Sequence, residues 1–174
     1  MQLQYSATGD PFPALWVTLA QITTDATQSL SGKYVGVVYP TELSSYHFWF
    51  QGNGSDLGPS VSPGLTIHVK PALGVPSVTS SAKASASFKV SGSLKPQFPA
   101  GQKTVTLTAS RYNGSKWVAY KTYKATNADN GSFTKYSLTL KIGSTGKYRF
   151  SASTAATALY SAASTGNSST VTIK

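Results

Sequence analysis

The amino-acid sequence predicts an all-β chain of two β-sandwich units in tandem, the first lacking its N-terminal strands. Three observations carry this. Apolar and polar residues alternate with period 2 in one segment after another, and no stretch long enough for a helix holds a 3.6-residue apolar period. Asn113-Gly114 and Asn130-Gly131, turn dipeptides suited to hairpins, fall between such segments. The chain also contains one pattern twice. Trp16-Val17 returns 101 residues later as Trp117-Val118, Lys33-Tyr34 returns after 102 as Lys135-Tyr136, and Tyr46-His47-Phe48 returns after 102 as Tyr148-Arg149-Phe150. Thr66-Ile67-His68-Val69-Lys70 matches the final Thr170-Val171-Thr172-Ile173-Lys174 at 104. A slowly drifting offset is what loop insertions leave in a duplicated unit.

The first unit covers 1–70. Leu3, Tyr5 and Ala7 alternate with polar neighbours in its opening strand. A second strand is expected from Ala14 to Ile22 and a third from Tyr34 to Tyr39. Tyr46, Phe48 and Phe50 then form one face of a strand, with His47 and Trp49 on the other. Leu65, Ile67 and Val69 close the unit, and His68 between them should face solvent. Residues 71–76 carry two prolines, which suppress helix and stiffen a short linker.

The second unit, 77–174, is complete. Strands are expected near Val75–Thr79, Ser87–Leu94, Thr104–Ser110, Trp117–Lys124, Ser132–Ile142, Lys147–Ser153 and Ser168–Ile173. Their inward residues are Phe88, Val90, Val105, Leu107, Ala109, Tyr136, Leu138, Leu140, Tyr148, Phe150, Val171 and Ile173. Ala152 to Ala163 is Ala-rich but has no apolar stripe, so it reads as a strand end and a loop. Seven short strands in about 100 residues is the pattern of an immunoglobulin-like sandwich. In the first unit the strand matching the one at Val105 begins near Leu3, which leaves five strands against seven. An edge stripped in this way is a template for strand addition by a neighbouring copy.

Composition narrows the setting. Charged residues make up 11%, against about 25% in ordinary soluble domains, and hydroxyl residues take their place. There is no cysteine, hence no disulfide and no thiolate metal site. A disulfide-free extracellular protein fits a bacterial surface better than an animal ectodomain. The net charge is +10, which favours anionic partners. No apolar run reaches the length of a membrane span, and Met1 to Tyr5 lacks the features of a signal peptide, so an exported form is expected to be longer.

Val90-Ser91-Gly92-Ser93-Leu94-Lys95-Pro96, Lys103-Thr104-Val105-Thr106-Leu107, Trp117-Val118, Gly131-Ser132-Phe133-Thr134, Gly146-Lys147-Tyr148-Arg149-Phe150 and Val171-Thr172-Ile173-Lys174 carry a family likeness. In these the second unit resembles the bacterial immunoglobulin-like repeat domains of secreted and wall-attached proteins, chiefly of Gram-positive bacteria; the first unit resembles them more loosely. The resemblance implies tandem sandwiches that act as spacers, stalks or adhesive modules, placed outside the cell or on its wall as part of a longer exported protein. Some relatives lock themselves with a Lys–Asn isopeptide bond beside a buried acid, and none of the five acids here falls clearly at an inward position.

No catalytic constellation emerges. The two histidines, His47 and His68, have no partner arranged for general-base work. Asp10, Asp25, Glu42, Asp56 and Asp129 are scattered, mostly in expected loops, which supports neither a calcium loop nor a glycosidase pair. No cofactor is implied. Asn53, Asn113, Asn130 and Asn167 match the N-glycosylation pattern, and turn chemistry explains them better. Lys89, Lys135, Lys141, Lys147 and Arg149 all fall on outward strand phases. They can form a positive face for anionic wall polymer or, more simply, keep the surface soluble and its edges unpaired. Nucleic acid is not expected, since no recognition helix or stacking platform is evident. Trp16 and Trp117, kept at one place in both units, read as core residues. Trp49, without a counterpart and opposite the inward phase, is the candidate for an exposed sugar-binding aromatic. The expected function is that of a non-catalytic structural spacer or adhesive stalk. The alternative is a carbohydrate- or anionic-polymer-binding module attached to a wall-acting enzyme, with Trp49, Lys135, Lys141, Lys147 and Arg149 as candidate ligand residues.

Overall fold

The computed structural model describes residues 1–6, 16–21, 36–52, 54 and 57–174, and among them every regular element is a β-strand. The chain divides into two compact units: residues 1–69 with 158–160, and residues 70–157 with 161–174.

Unit 1 holds β1 (Gln2–Ser6), β2 (Val17–Gln21), β3 (Ser44–Phe50), β4 (Ser60–Val61) and β5 (Leu65–Ile67). They form one sheet in the order β2-β1-β3-β4, with β5 on the other end of β3. Leu3 and Tyr46 are buried on the inner face of that sheet, and His68 is exposed, as its alternation requires. Residues 36–40 form no strand. Tyr34, like the repeat anchor Lys33-Tyr34, the ends of the expected second strand and the acids Asp10, Asp25 and Asp56, lies outside the described residues.

Unit 2 holds β6 (Ala72–Leu73), β7 (Ser77–Val78), β8 (Ser81–Ala82), β9 (Ser87–Lys95), β10 (Val105–Tyr112), β11 (Trp117–Asp129), β12 (Thr134–Lys141), β13 (Gly146–Thr154), β14 (Ala163–Asn167) and β15 (Val171–Ile173). In one layer β6 and β7 pair with β9, β9 with β12, and β12 with the last residues of β11. In the other, the first part of β11 pairs with β10, β10 with β13, and β13 with both β14 and β15; β8 runs parallel to β15 at the edge. The long β11 therefore serves both layers. Val90, Leu94, Tyr136 and Leu140 from the first layer and Val105, Leu107, Tyr148, Phe150 and Val171 from the second are buried. Phe88 and Phe150 meet edge to face across the layers, with ring centroids 6.2 Å apart. Of the twelve residues expected to point inward, Leu138 alone is only half-buried.

Local chemistry fixes the connections. In the β10–β11 hairpin the Asn113 side chain accepts the amides of Ser115 and Lys116, so it is engaged in the turn. Between β11 and β12, Asp129 accepts the Gly131 amide. Only the glycine of each Asn-Gly pair takes positive φ, 101° at Gly114 and 74° at Gly131. Residues 71–76, expected as a linker, are part of unit 2. β6 pairs there with β9, the Gly74 amide donates to Ser93, and the buried Tyr136 hydroxyl donates to the Gly74 carbonyl at 2.6 Å. Pro71 and Pro76 are buried.

The internal repeat has a structural form. β2-β1-β3 pairs as β11-β10-β13 does, and β4 and β5 attach to β3 as β14 and β15 attach to β13. With Tyr46 matched to Tyr148, the strand register matches Leu3 to Ala109 and Ile67 to Ile173. This corrects the expected matches of Leu3 to Val105 and Thr66 to Thr170. A β-bulge recurs at the same step, between Leu3 and Gln4 and between Ala109 and Ser110. The units differ in what covers the shared sheet. Leu65 is 60% exposed where its counterpart Val171 is 0%, and Phe48 is half-buried where Phe150 is fully buried. In unit 2 the layer of β9 and β12 supplies that cover.

Candidate functional site

The bulge in β11 builds the site. Counting by twos back from the buried Ala125 would bring Trp117 to the core. The register slips by one residue around Tyr120, however, and a one-residue slip turns every following side chain to the other face. Trp117 is accordingly half-buried on the outer face, not in the core. The same bulge acts before Trp16, which is also only half-buried. Each tryptophan then meets a basic side chain at the equivalent place. The Arg149 guanidinium carbon lies 4.5 Å from the Trp117 ring centroid, and the His47 ring lies 3.7 Å from that of Trp16. The first is a cation–π contact, worth about 0.5–1 kcal/mol at exposed sites, and the second is a stacking of two rings.

Around Trp117 the outer face opens into a groove of about 450 Å³ lined by Tyr112, Trp117, Lys147, Thr170 and Thr172. Four strands of one layer deliver these residues, with Thr170 just ahead of β15. Tyr112 and Trp117 are cross-strand partners at the β10–β11 hairpin, with rings 5.4 Å apart, and Lys147 pairs with Thr172 across β13 and β15. Arg149 sits one outward step along β13 from Lys147; its Nε is buried and finds no hydrogen-bond acceptor among the described residues. In unit 1 the equivalent positions are small: Ser6 for Tyr112, Ser45 for Lys147 and Thr66 for Thr172. Ser6 and Ser45 are buried there, and Ser45 shares a 2.9 Å hydrogen bond with Thr66. The frame thus needs only small hydroxyl residues at these places, and unit 2 carries an aromatic and a cation instead.

The candidate ligand residues separate. Lys147 and Arg149 share this face. Lys135 and Lys141 point outward from β12 in the opposite layer, so the four cations do not make one basic face. Trp49 belongs to unit 1 and is half-buried between Gln2 and Val61. On its face, His47 bonds Gln4 at 2.8 Å, and burial pushes its pKa below the ordinary 6.5. Tyr112, Thr170 and Thr172 were not singled out by the sequence pattern. A count by twos from the buried Val105 does place Tyr112 outward, and its position opposite Trp117 across the 113–116 turn is the available signal.

Charge is divided unequally. Fourteen of the fifteen Lys and Arg lie in 70–174 with a single acid, Asp129, giving net +13, whereas 1–69 carry one Lys and four acids, net −3. Asp129 is exposed, so unit 2 holds no buried acid of the kind an isopeptide bond needs. Among the described residues no three of His, Asp or Glu gather as metal ligands. The groove offers aromatic faces, hydroxyls and positive charge, which suit recognition of an anionic, hydroxyl-rich ligand. No family model matches the chain, and no curated protein matches it in sequence.

Proposed function

We propose that the chain is a non-catalytic, load-bearing spacer or adhesive stalk module of an extracellular bacterial surface protein, built of immunoglobulin-like units. One observation carries the mechanical part: the edge strands near the two ends of unit 2 pair in parallel. The Thr172 amide donates to Ser80 at 2.9 Å, the Lys174 amide to Ala82 at 3.0 Å, and the Ala84 amide to Lys174 at 2.7 Å. Tension on the two ends pulls parallel strands in opposite senses along their own axes. It stretches these bonds together instead of opening them one by one. The surface location rests on the resemblance to bacterial wall-attached repeats and on the hydroxyl-rich composition. A second reading, ligand binding, is favoured by the groove around Trp117.

Pulling the full chain by its termini in a force spectrometer tests the proposal. Unit 2 should yield in one resolved event that releases roughly 30 nm, the span of about 90 extended residues. Lys174→Pro, which removes one of the three donors at a place that disturbs no core, should lower the unfolding force and leave the denaturant midpoint nearly unchanged. Extension without a resolved event, or a force indifferent to Lys174→Pro, would contradict load bearing.

A further inference from the structure

We propose that the outer-face groove of unit 2 is a binding site for an acidic polysaccharide, a chain of sugar rings bearing carboxylate, sulfate or phosphate groups. This goes beyond the spacer reading. Three features point to that chemistry. Tyr112 and Trp117 line the groove side by side, and aromatic rings present broad apolar faces against which the C–H face of a sugar ring packs. Thr170 and Thr172 also line the groove, and their hydroxyls can both donate to and accept from sugar hydroxyls. The exposed Lys147 lines the groove between these residues, and Arg149 stands beside it on β13 against Trp117, so an anionic substituent meets an ammonium with a guanidinium nearby.

What the two units share is scaffold, and what unit 2 adds is the site. A tryptophan packed against the side chain at this place occurs in both, His47 on Trp16 and Arg149 on Trp117, and so belongs to the shared frame. Tyr112 and Lys147 belong to unit 2 alone, where unit 1 has buried serines. The field agrees with the groove. Unit 2 carries net +13 with one acid, Asp129, at the far end of β11. A potential of that sign draws polyanions to the surface, and the groove then selects among them. Duplex nucleic acid is the competing polyanion, and it lacks the exposed sugar faces that Tyr112 and Trp117 would use.

The test uses the full chain and calorimetric titration with defined probes: an oligogalacturonate (carboxylate), a heparin-derived oligosaccharide (sulfate), a glycerol-phosphate oligomer (phosphate), a neutral malto-oligosaccharide and a short DNA duplex. Two variants of equal charge change are compared, Lys147→Glu in the groove and Lys141→Glu on the opposite layer. At least one acidic glycan should bind saturably, and which one identifies the anionic group. Lys147→Glu should weaken it about tenfold or more, and Lys141→Glu less than about twofold, since a remote charge acts only through the screened field. Tyr112→Ala should weaken it as well, and the neutral oligosaccharide should bind far less tightly. Equal losses from the two lysine variants, DNA binding with the same dependence on Lys147, or no saturable binding of any acidic probe would overturn the proposal.

Discussion

Phe150 and Trp117 are both aromatic and lie in one layer with β10 between their strands, yet they should respond very differently to truncation. Phe150 is fully buried and meets Phe88 across the sandwich. Phe150→Ala should cost about 3–5 kcal/mol in denaturant melts. Trp117 is half-buried on the outer face, and Trp117→Ala should cost only about 1–2 kcal/mol, from the lost guanidinium contact and partial burial. A loss as large as that of Phe150 would return Trp117 to the core. Tyr136 carries a different sensitivity. A Cβ at Gly92 would run into its ring, so glycine is what allows the phenol to cross β9 and reach the Gly74 carbonyl. Burial pushes the Tyr136 pKa well above the ordinary 10.0. The folded state therefore keeps its proton while the unfolded chain loses it. The stabilising contribution is full below pH 10 and should fall as the pH rises above it. Denaturant melts from pH 9 to 11 should show this decline reduced in Tyr136→Phe, with an unchanged decline contradicting the assignment.

At the scale of elements, what was legible followed the alternation of side chains. The inward sets of β9, β10, β12, β13 and β15 could be read because each strand keeps one phase from end to end. β11 could not be read this way. Its bulge at Tyr120 is a property of the pairing with β10, and nothing in Val118-Ala119-Tyr120-Lys121 announces it. That one slip turned the expected core tryptophan into a surface one and hid the groove. β14 is Ala-Ser-Thr-Gly-Asn, with no apolar alternation to find, and β6 and β8 are two residues each, held by their neighbours' free backbone groups. By sequence alone the prolines at 71 and 76 read as a linker, because proline suppresses helix. They equally suit the ends of a short edge strand, and the backbone bonds to β9 settle which. Of the candidate site, the cations Lys147 and Arg149 were legible from phase alone. Their separation from Lys135 and Lys141 was not, because phase does not tell which layer a strand joins.

The whole molecule is one sheet frame written twice, closed by a second layer only in unit 2 among the described residues. Both units share strand order, register and bulge. Unit 1 leaves Val17, Leu19, Val61 and Leu65 about half exposed or more, whereas unit 2 buries a continuous core. A sheet with uncovered apolar surface gains less from burial than a closed sandwich and opens sooner. Exposed apolar residues of this kind are what a neighbouring copy could cover, which the proposed stalk would accommodate as strand addition. Hydrogen exchange on the full chain, followed through increasing denaturant, tests this most directly because it reports matched strands separately. Amides of β1 and β3 should exchange through an opening well below the global unfolding free energy, while those of β10 and β13 should exchange only with global unfolding. Equal protection of β3 and β13, lost together in a single transition, would contradict the account.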